Sequence, residues 1–144
     1  MMKRTAPPRR DLRTPLRRAL EDGDHLGVHI AILNQCEVDT ATSCWEWPRL
    51  RKGYPFVVVN GKELQVHRLS LEARLRKPLG KQAAHHRCAN SKCVNPDHLQ
   101  PVTAAANMAE MLARRYYVSR IQDLEAALRA IDPEHPLLTE AAVR

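Results

Sequence analysis

The clearest alternation of apolar and polar residues lies in the middle of the chain. Tyr54 to Val59 is rich in β-branched residues, and the Asn60-Gly61 dipeptide that follows is the pair most typical of a tight hairpin turn. Lys62 to Arg68 then alternates, with Leu64 and Val66 on one face. The pattern therefore predicts two antiparallel strands joined by a short turn.

Helical periodicity precedes and follows this hairpin. Pro15 is suited to open a short helix over Leu16 to Glu21. Residues 25–35 are apolar enough to be buried and favour a helix, although a strand also fits. Residues 36–43 have the composition of a loop. Leu69 to Lys77 places leucines four residues apart, which predicts a helix that ends before Pro78.

The C-terminal third predicts one short strand and two helical stretches. Gln82 to His86 is the strand candidate, and Thr103 is a good N-cap for a helix from Ala104 to about Tyr117. A further stretch follows, with apolar residues at 3-4-3 spacing: Ile121, Leu124, Leu128 and Ile131. We expect this stripe to pack on the protein's own core, with a homodimer interface as the alternative.

The predicted elements give an α+β protein with four segments. Residues 1–18 are a basic disordered arm, and residues 19–43 a helical and loop segment. Residues 44–117 form the central domain, and residues 118–144 a C-terminal helix and tail. At 144 residues the chain makes one domain, or one small domain with tails, whose core a structural metal would help to stabilise.

Charge narrows the class of partner. The net charge is +7, and the basic excess is concentrated in the arm and the central domain. A polyanion such as DNA is the expected partner. The sequence contains no long apolar run and no secretory signal, so we expect a cytoplasmic protein that is not embedded in a membrane. Cysteines stay reduced in that compartment and favour metal binding over disulfides.

Three metal-ligand residues follow one another at even spacing in the central domain: Cys88, Cys93 and His98. Thiolates and imidazoles are the ligands of structural zinc, which takes four of them in a tetrahedron. Cys44 is the preferred fourth ligand, because it would close a long segment of chain. Cys36 is the main rival for that role.

Two further residues bracket this zinc loop. His86 lies two residues before Cys88, and Asn107 falls in the first turn of the helix after His98. A neutral histidine can take a proton from water, and an amide oxygen is a ligand that Mg²⁺ accepts. The zinc would fix the distance between His86 and Asn107, so the pattern indicates a site that hydrolyses phosphodiesters.

At these residues the chain resembles the HNH endonucleases of the ββα-metal superfamily, and most closely the His-Cys box homing endonucleases and phage HNH proteins. The matching strings lie between residues 44 and 110: Cys44-Trp45-Glu46-Trp47, Gly53-Tyr54, Val66-His67-Arg68-Leu69, His86-Arg87-Cys88, Cys93-Val94-Asn95-Pro96-Asp97-His98-Leu99, and Asn107. The resemblance implies a small ββα-metal fold, a β-hairpin plus a helix with a structural zinc loop, flanked by helices.

The resemblance also implies roles for single residues. His86 would be the general base, Asn107 would bind a catalytic Mg²⁺ or Mn²⁺, and a structural Zn²⁺ would be held by four ligands: Cys44, Cys88, Cys93 and His98. Arg68, Arg87 and His85 are candidates for contacts to DNA. The expected activity is metal-dependent cleavage of DNA. The alternatives are a non-catalytic, zinc-stabilised DNA-binding module and a protein that acts on RNA.

Overall fold

The computed structural model describes residues 13–139 and is a mixed α+β protein with small antiparallel sheets, as the sequence predicts. Its helices are α1 (Arg13–Glu21), α2 (His25–Leu33), α3 (Val66–Leu75) and α4 (Ala104–Ile131), with short 3-10 turns at Pro96–His98 and Pro136–Leu138. Its strands are β1 (Glu37–Val38), β2 (Trp45–Glu46), β3 (Leu50–Arg51), β4 (Tyr54–Val59), β5 (Lys62–Gln65), β6 (Ala83–His86) and β7 (Leu99–Val102). The chain divides into two compact units at Thr103 and Ala104.

The core of the first unit gathers residues from α1, α2, the hairpin, both ends of α3, the segment after β2 and the zinc loop. Its buried apolar residues are Leu16, Ala19, Val28, Ala31, Ile32, Trp47, Val57, Val59, Val66, Ala73 and Val94. Leu16 is fully buried, which explains why residues 13–18 are helical and not part of a disordered arm. Residues 1–12 of the predicted arm lie outside the described residues.

The predicted hairpin is confirmed, but its second strand is shorter than expected. Strands β4 and β5 pair antiparallel, from Val59 opposite Lys62 to Phe56 opposite Gln65. The helix then begins at Val66 and not at Leu69. Val66 is fully buried, and the buried residues of α3 recur at helical spacing. An alternating pattern over residues 62–66 fits a strand equally well, so only the packing of Val66 decides where the helix begins.

Two further strand pairs position the zinc loop. Strands β6 and β7 pair antiparallel, with His86 opposite Leu99, and the zinc loop connects them. Strands β1 and β2 form a second short pair, in which Val38 lies opposite Trp45. Residues 36–43 are therefore not entirely loop. The sequence pattern predicts β6 but not β7, because Pro101 at the centre of β7 is atypical of a strand.

The second unit contains one long helix. Helix α4 runs without a break from Ala104 to Ile131, so the two helical stretches predicted separately are continuous. Residues 117–121 contain neither glycine nor proline, and nothing in their backbone chemistry ends a helix. Every residue of α4 is described, and none of them is buried. Within the described range, no helix is both long and apolar enough to cross a membrane.

Candidate functional site

Four metal-ligand side chains converge in the first unit: Cys44, Cys88, Cys93 and His98. Their ligand atoms all lie within 4.8 Å of one another. Nδ1 of His98 is 3.5 Å from Sγ of Cys44 and 3.5 Å from Sγ of Cys93. Tetrahedral zinc separates a sulfur and a nitrogen ligand by about 3.6 Å, given the usual bond lengths. The four residues therefore form a Cys3His site whose donor set and spacing fit zinc.

Backbone pairing brings Cys44 to the loop from far upstream. The N–H of Trp47 donates to the carbonyl of Lys92 (3.3 Å), and the N–H of Val94 donates to the carbonyl of Trp45 (2.9 Å). The amide Nδ2 of buried Asn95 donates to the carbonyl of Ser43 (2.8 Å). These three bonds hold residues 43–47 along the loop, so Cys44 reaches the cluster as the fourth ligand.

Cys36, the rival for the fourth position, lies elsewhere. Its thiol donates to the carbonyl of Ile32 within the end of α2, at 3.2 Å. Burial raises the pKa of Cys36 to about 12, so its thiol stays protonated. The preference for Cys44 in the sequence analysis is therefore confirmed, and Cys36 packs as a small apolar side chain.

The thiols of the cluster need a cation to ionise. Burial raises the pKa of Cys93 to about 12 and also raises the pKa of Cys88, where the neighbouring Cys44 thiol adds to the effect. Three thiolates this close would repel one another strongly, since two of the three cysteines are buried. A bound metal removes that repulsion and releases the thiol protons. The chemistry of the cluster therefore fits a metal site.

His86 is held by the zinc loop in a defined orientation. Its Nε2 lies 2.9 Å from the carbonyl oxygen of Cys93. A carbonyl only accepts, so Nε2 carries the proton and donates it to this bond. Burial lowers the pKa of His86, which keeps the imidazole neutral near pH 7. A neutral ring with its proton on Nε2 has its lone pair on Nδ1, and this nitrogen is the basic one.

A second histidine packs against the first. The rings of His67 and His86 are 5.0 Å apart between centroids, and the ring of Tyr54 lies 5.8 Å from that of His67. His67 is 5% exposed, and its Nδ1 has no hydrogen-bond partner among the described residues. Burial lowers the pKa of His67 to about 4, with smaller contributions from the charges of His86 and Arg68. Sequence patterns did not predict this stack, because its members come from β4, α3 and β6.

The candidate DNA-contact arginines both bond to backbone carbonyls. The guanidinium of Arg68 donates to the carbonyls of Gly80 and Gln82, each at 2.6 Å. That of Arg87 donates to the carbonyl of Asp97, also at 2.6 Å. Arg68 thereby holds the segment that leads into β6, and Arg87 holds the end of the zinc loop. Contact with DNA stays a prediction for both arginines and for His85, which is half-buried on β6.

Asn107 stands in the first turn of α4, in the second unit. Strand β7 ends at Val102, and α4 begins two residues later, so β6, the zinc loop, β7 and α4 follow one another directly along the chain.

Comparison with known proteins found no match: no family model, no curated protein and no solved structure matches the chain.

Proposed function

We propose that the protein is a metal-dependent DNA endonuclease of the HNH type, in which His86 is the general base. The observation that carries the proposal is the hydrogen bond from Nε2 of His86 to the carbonyl of Cys93. This bond places the proton of the neutral imidazole on Nε2. The lone pair is then on Nδ1, which is the basic nitrogen. A protein that only binds DNA needs no such group.

In the proposed reaction, Nδ1 of His86 takes a proton from a water molecule whose oxygen attacks the phosphorus of a DNA phosphodiester. The bond from phosphorus to the 3′ oxygen breaks, and that oxygen takes a proton from solvent. The products carry a 5′-phosphate and a 3′-hydroxyl. Because the Cys93 carbonyl accepts from Nε2, it also stabilises the imidazolium that forms when Nδ1 is protonated.

Asn107 is proposed to hold a Mg²⁺ or Mn²⁺ ion through its amide oxygen, a donor that suits these hard cations. When bound, the cation supplies charge stabilisation at the phosphodiester. The Cys3His cluster takes no part in proton transfer. It fixes the carbonyl of Cys93 and, through it, the ring of His86.

Cleavage of supercoiled plasmid in the presence of Mg²⁺ or Mn²⁺ tests the proposal. We expect wild-type protein to nick or linearise the plasmid and EDTA to stop the reaction. His86→Gln retains an N–H that can reach Cys93 but offers no base, so the rate should fall about 10²- to 10⁴-fold. His25→Ala removes an exposed histidine of α2 and should cleave like wild type. Bound zinc should be unchanged in both variants.

The divalent ligand is tested separately. Asn107→Ala should abolish cleavage without loss of zinc or helix content, whereas Asn107→Asp, which keeps an oxygen at the same place, should retain part of the activity. Wild-type protein that binds the plasmid and leaves it intact with every metal would refute the nuclease and favour the zinc-stabilised binding module. Cleavage of RNA but not DNA would change the substrate and leave the roles of the residues intact.

A further inference from the structure

The C-terminal half of α4 carries an exposed apolar stripe. Its residues are spaced 4-3-4-3 along the chain: Tyr117, Ile121, Leu124, Leu128 and Ile131. Four of them are strongly exposed, at 62% for Tyr117, 49% for Ile121, 53% for Leu124 and 84% for Ile131. The apolar residues of the N-terminal half, around Met108 and Leu112, project from the opposite side of the helix. The stripe is therefore a separate surface, and residues 104–139, the described part of the second unit, contain no other long element to cover it.

The spacing of the stripe is that of a coiled-coil seam. Ile121 and Leu128 occupy heptad positions a, and the other three residues occupy positions d. In the first heptad, β-branched Ile121 at a followed by Leu124 at d favours two parallel strands, whereas Leu128 at a with Ile131 at d in the second heptad favours larger assemblies. The heptad extends over Tyr117 to Ile131 and does not continue upstream, where Arg114 and Glu110 fall at the corresponding positions.

The charges beside the seam select a second copy in parallel orientation. Arg120 occupies position g and Glu125 position e of the next heptad, five residues further on. In a parallel pair, position g of one helix faces position e of the next heptad in the other helix. Arg120 of each copy therefore faces Glu125 of the other copy, which gives two such pairs in the dimer. In an antiparallel pair, g faces g and e faces e, which would place arginine against arginine and glutamate against glutamate.

We propose that α4 joins two copies of this chain as a parallel two-stranded coiled coil over Tyr117 to Ile131. Two heptads make a short seam, so the dimer is weak and depends on protein concentration. The proposal does not rest on the nuclease activity. If both hold, each dimer contains two copies of His86.

Sedimentation velocity of the full zinc-loaded chain across a range of concentrations tests the proposal. Wild-type protein should pass from monomer to dimer as concentration rises. Leu124→Asp places a charge in the seam and should remain monomeric at every concentration, with unchanged helix content and zinc. Arg129→Glu changes a charge at the outward position b and should dimerise like wild type. A wild type that stays monomeric, or a Leu124→Asp variant that dimerises, overturns the proposal.

Charge exchange tests the orientation. Arg120→Glu and Glu125→Arg each replace two attractive pairs with two repulsive ones, which should weaken the homodimer about tenfold. An equimolar mixture of the two variants restores opposite charges across the seam and should dimerise at least as well as wild type. If each single variant dimerised as strongly as wild type, position g would not face position e, and the parallel register would be wrong.

Discussion

Cys44 is the one ligand of the Cys3His cluster that is distant in sequence, so its removal should have a distinctive effect. The other three ligands lie between residues 88 and 98. Without Cys44, the remaining ligands close only short segments of chain. Without Cys88, Cys44 stays tied to Cys93 and His98, and the long segment remains closed. We therefore predict that Cys44→Ser destabilises the first unit much more than Cys88→Ser, although each variant removes one thiolate.

The size of the difference follows from loop closure. The segment from Cys44 to Cys88 is about 45 residues long, and closing a loop of that length contributes ~4 kcal/mol in the chain-entropy model. Burial acts in the same direction, since Cys44 is 2% exposed whereas Cys88 is only half-buried. We expect the free energy of unfolding to differ by ~3–4 kcal/mol between the variants, a large share of the 5–15 kcal/mol typical of a small domain.

Urea denaturation with zinc in excess measures this difference. Fluorescence of Trp45 and Trp47, which follow Cys44 directly, reports unfolding of the region, and metal analysis reports the zinc bound. Cys36→Ser makes the same chemical change outside the cluster and should cost no more than about 1 kcal/mol, as a half-buried site without cavity formation. Equal losses for the two cluster variants, or a larger loss for Cys88→Ser, would refute the loop-closure reasoning.

Two further predictions concern buried polar side chains. The pKa of His67 is lowered to about 4 from 6.5, so the neutral form stabilises the fold above pH 6.5, and that stability is lost as pH falls toward 4. Between these limits wild type should lose about 3 kcal/mol more free energy of unfolding than His67→Gln; parallel urea-derived curves for the two would contradict this. Asn95→Ala removes the bonds from Nδ2 to Ser43 and from the Asp97 N–H to Oδ1, and should cost about 1–3 kcal/mol in the same assay. Asn34→Ala, at an exposed position, serves as the control. If Asn95→Ala lowers the free energy of unfolding no more than Asn34→Ala does, the two bonds contribute little.

Local sequence rules were sufficient for the elements whose signals lie within a few residues. Asn60-Gly61 predicted the hairpin, because only a few residue pairs tolerate that turn. The spacing of Cys88, Cys93 and His98 predicted a metal loop, since the ligands share one short segment. The same rules failed at Val66, where an alternating pattern fits both a strand and the first turn of a helix. They also failed at Pro101, because proline is atypical of the strand in which it lies.

The sequence is enough to predict the types of metal ligand, the histidine beside them, and the apolar spacing of the last helix. Which distant groups meet depends on the folded chain. Cys44 rather than Cys36 completes the cluster, because strand-like bonds lay residues 45–47 along the zinc loop. The carbonyl of Cys93 selects the basic nitrogen of His86, and His67 packs against that ring. Such contacts join segments tens of residues apart, and a backbone carbonyl has no signature in a sequence.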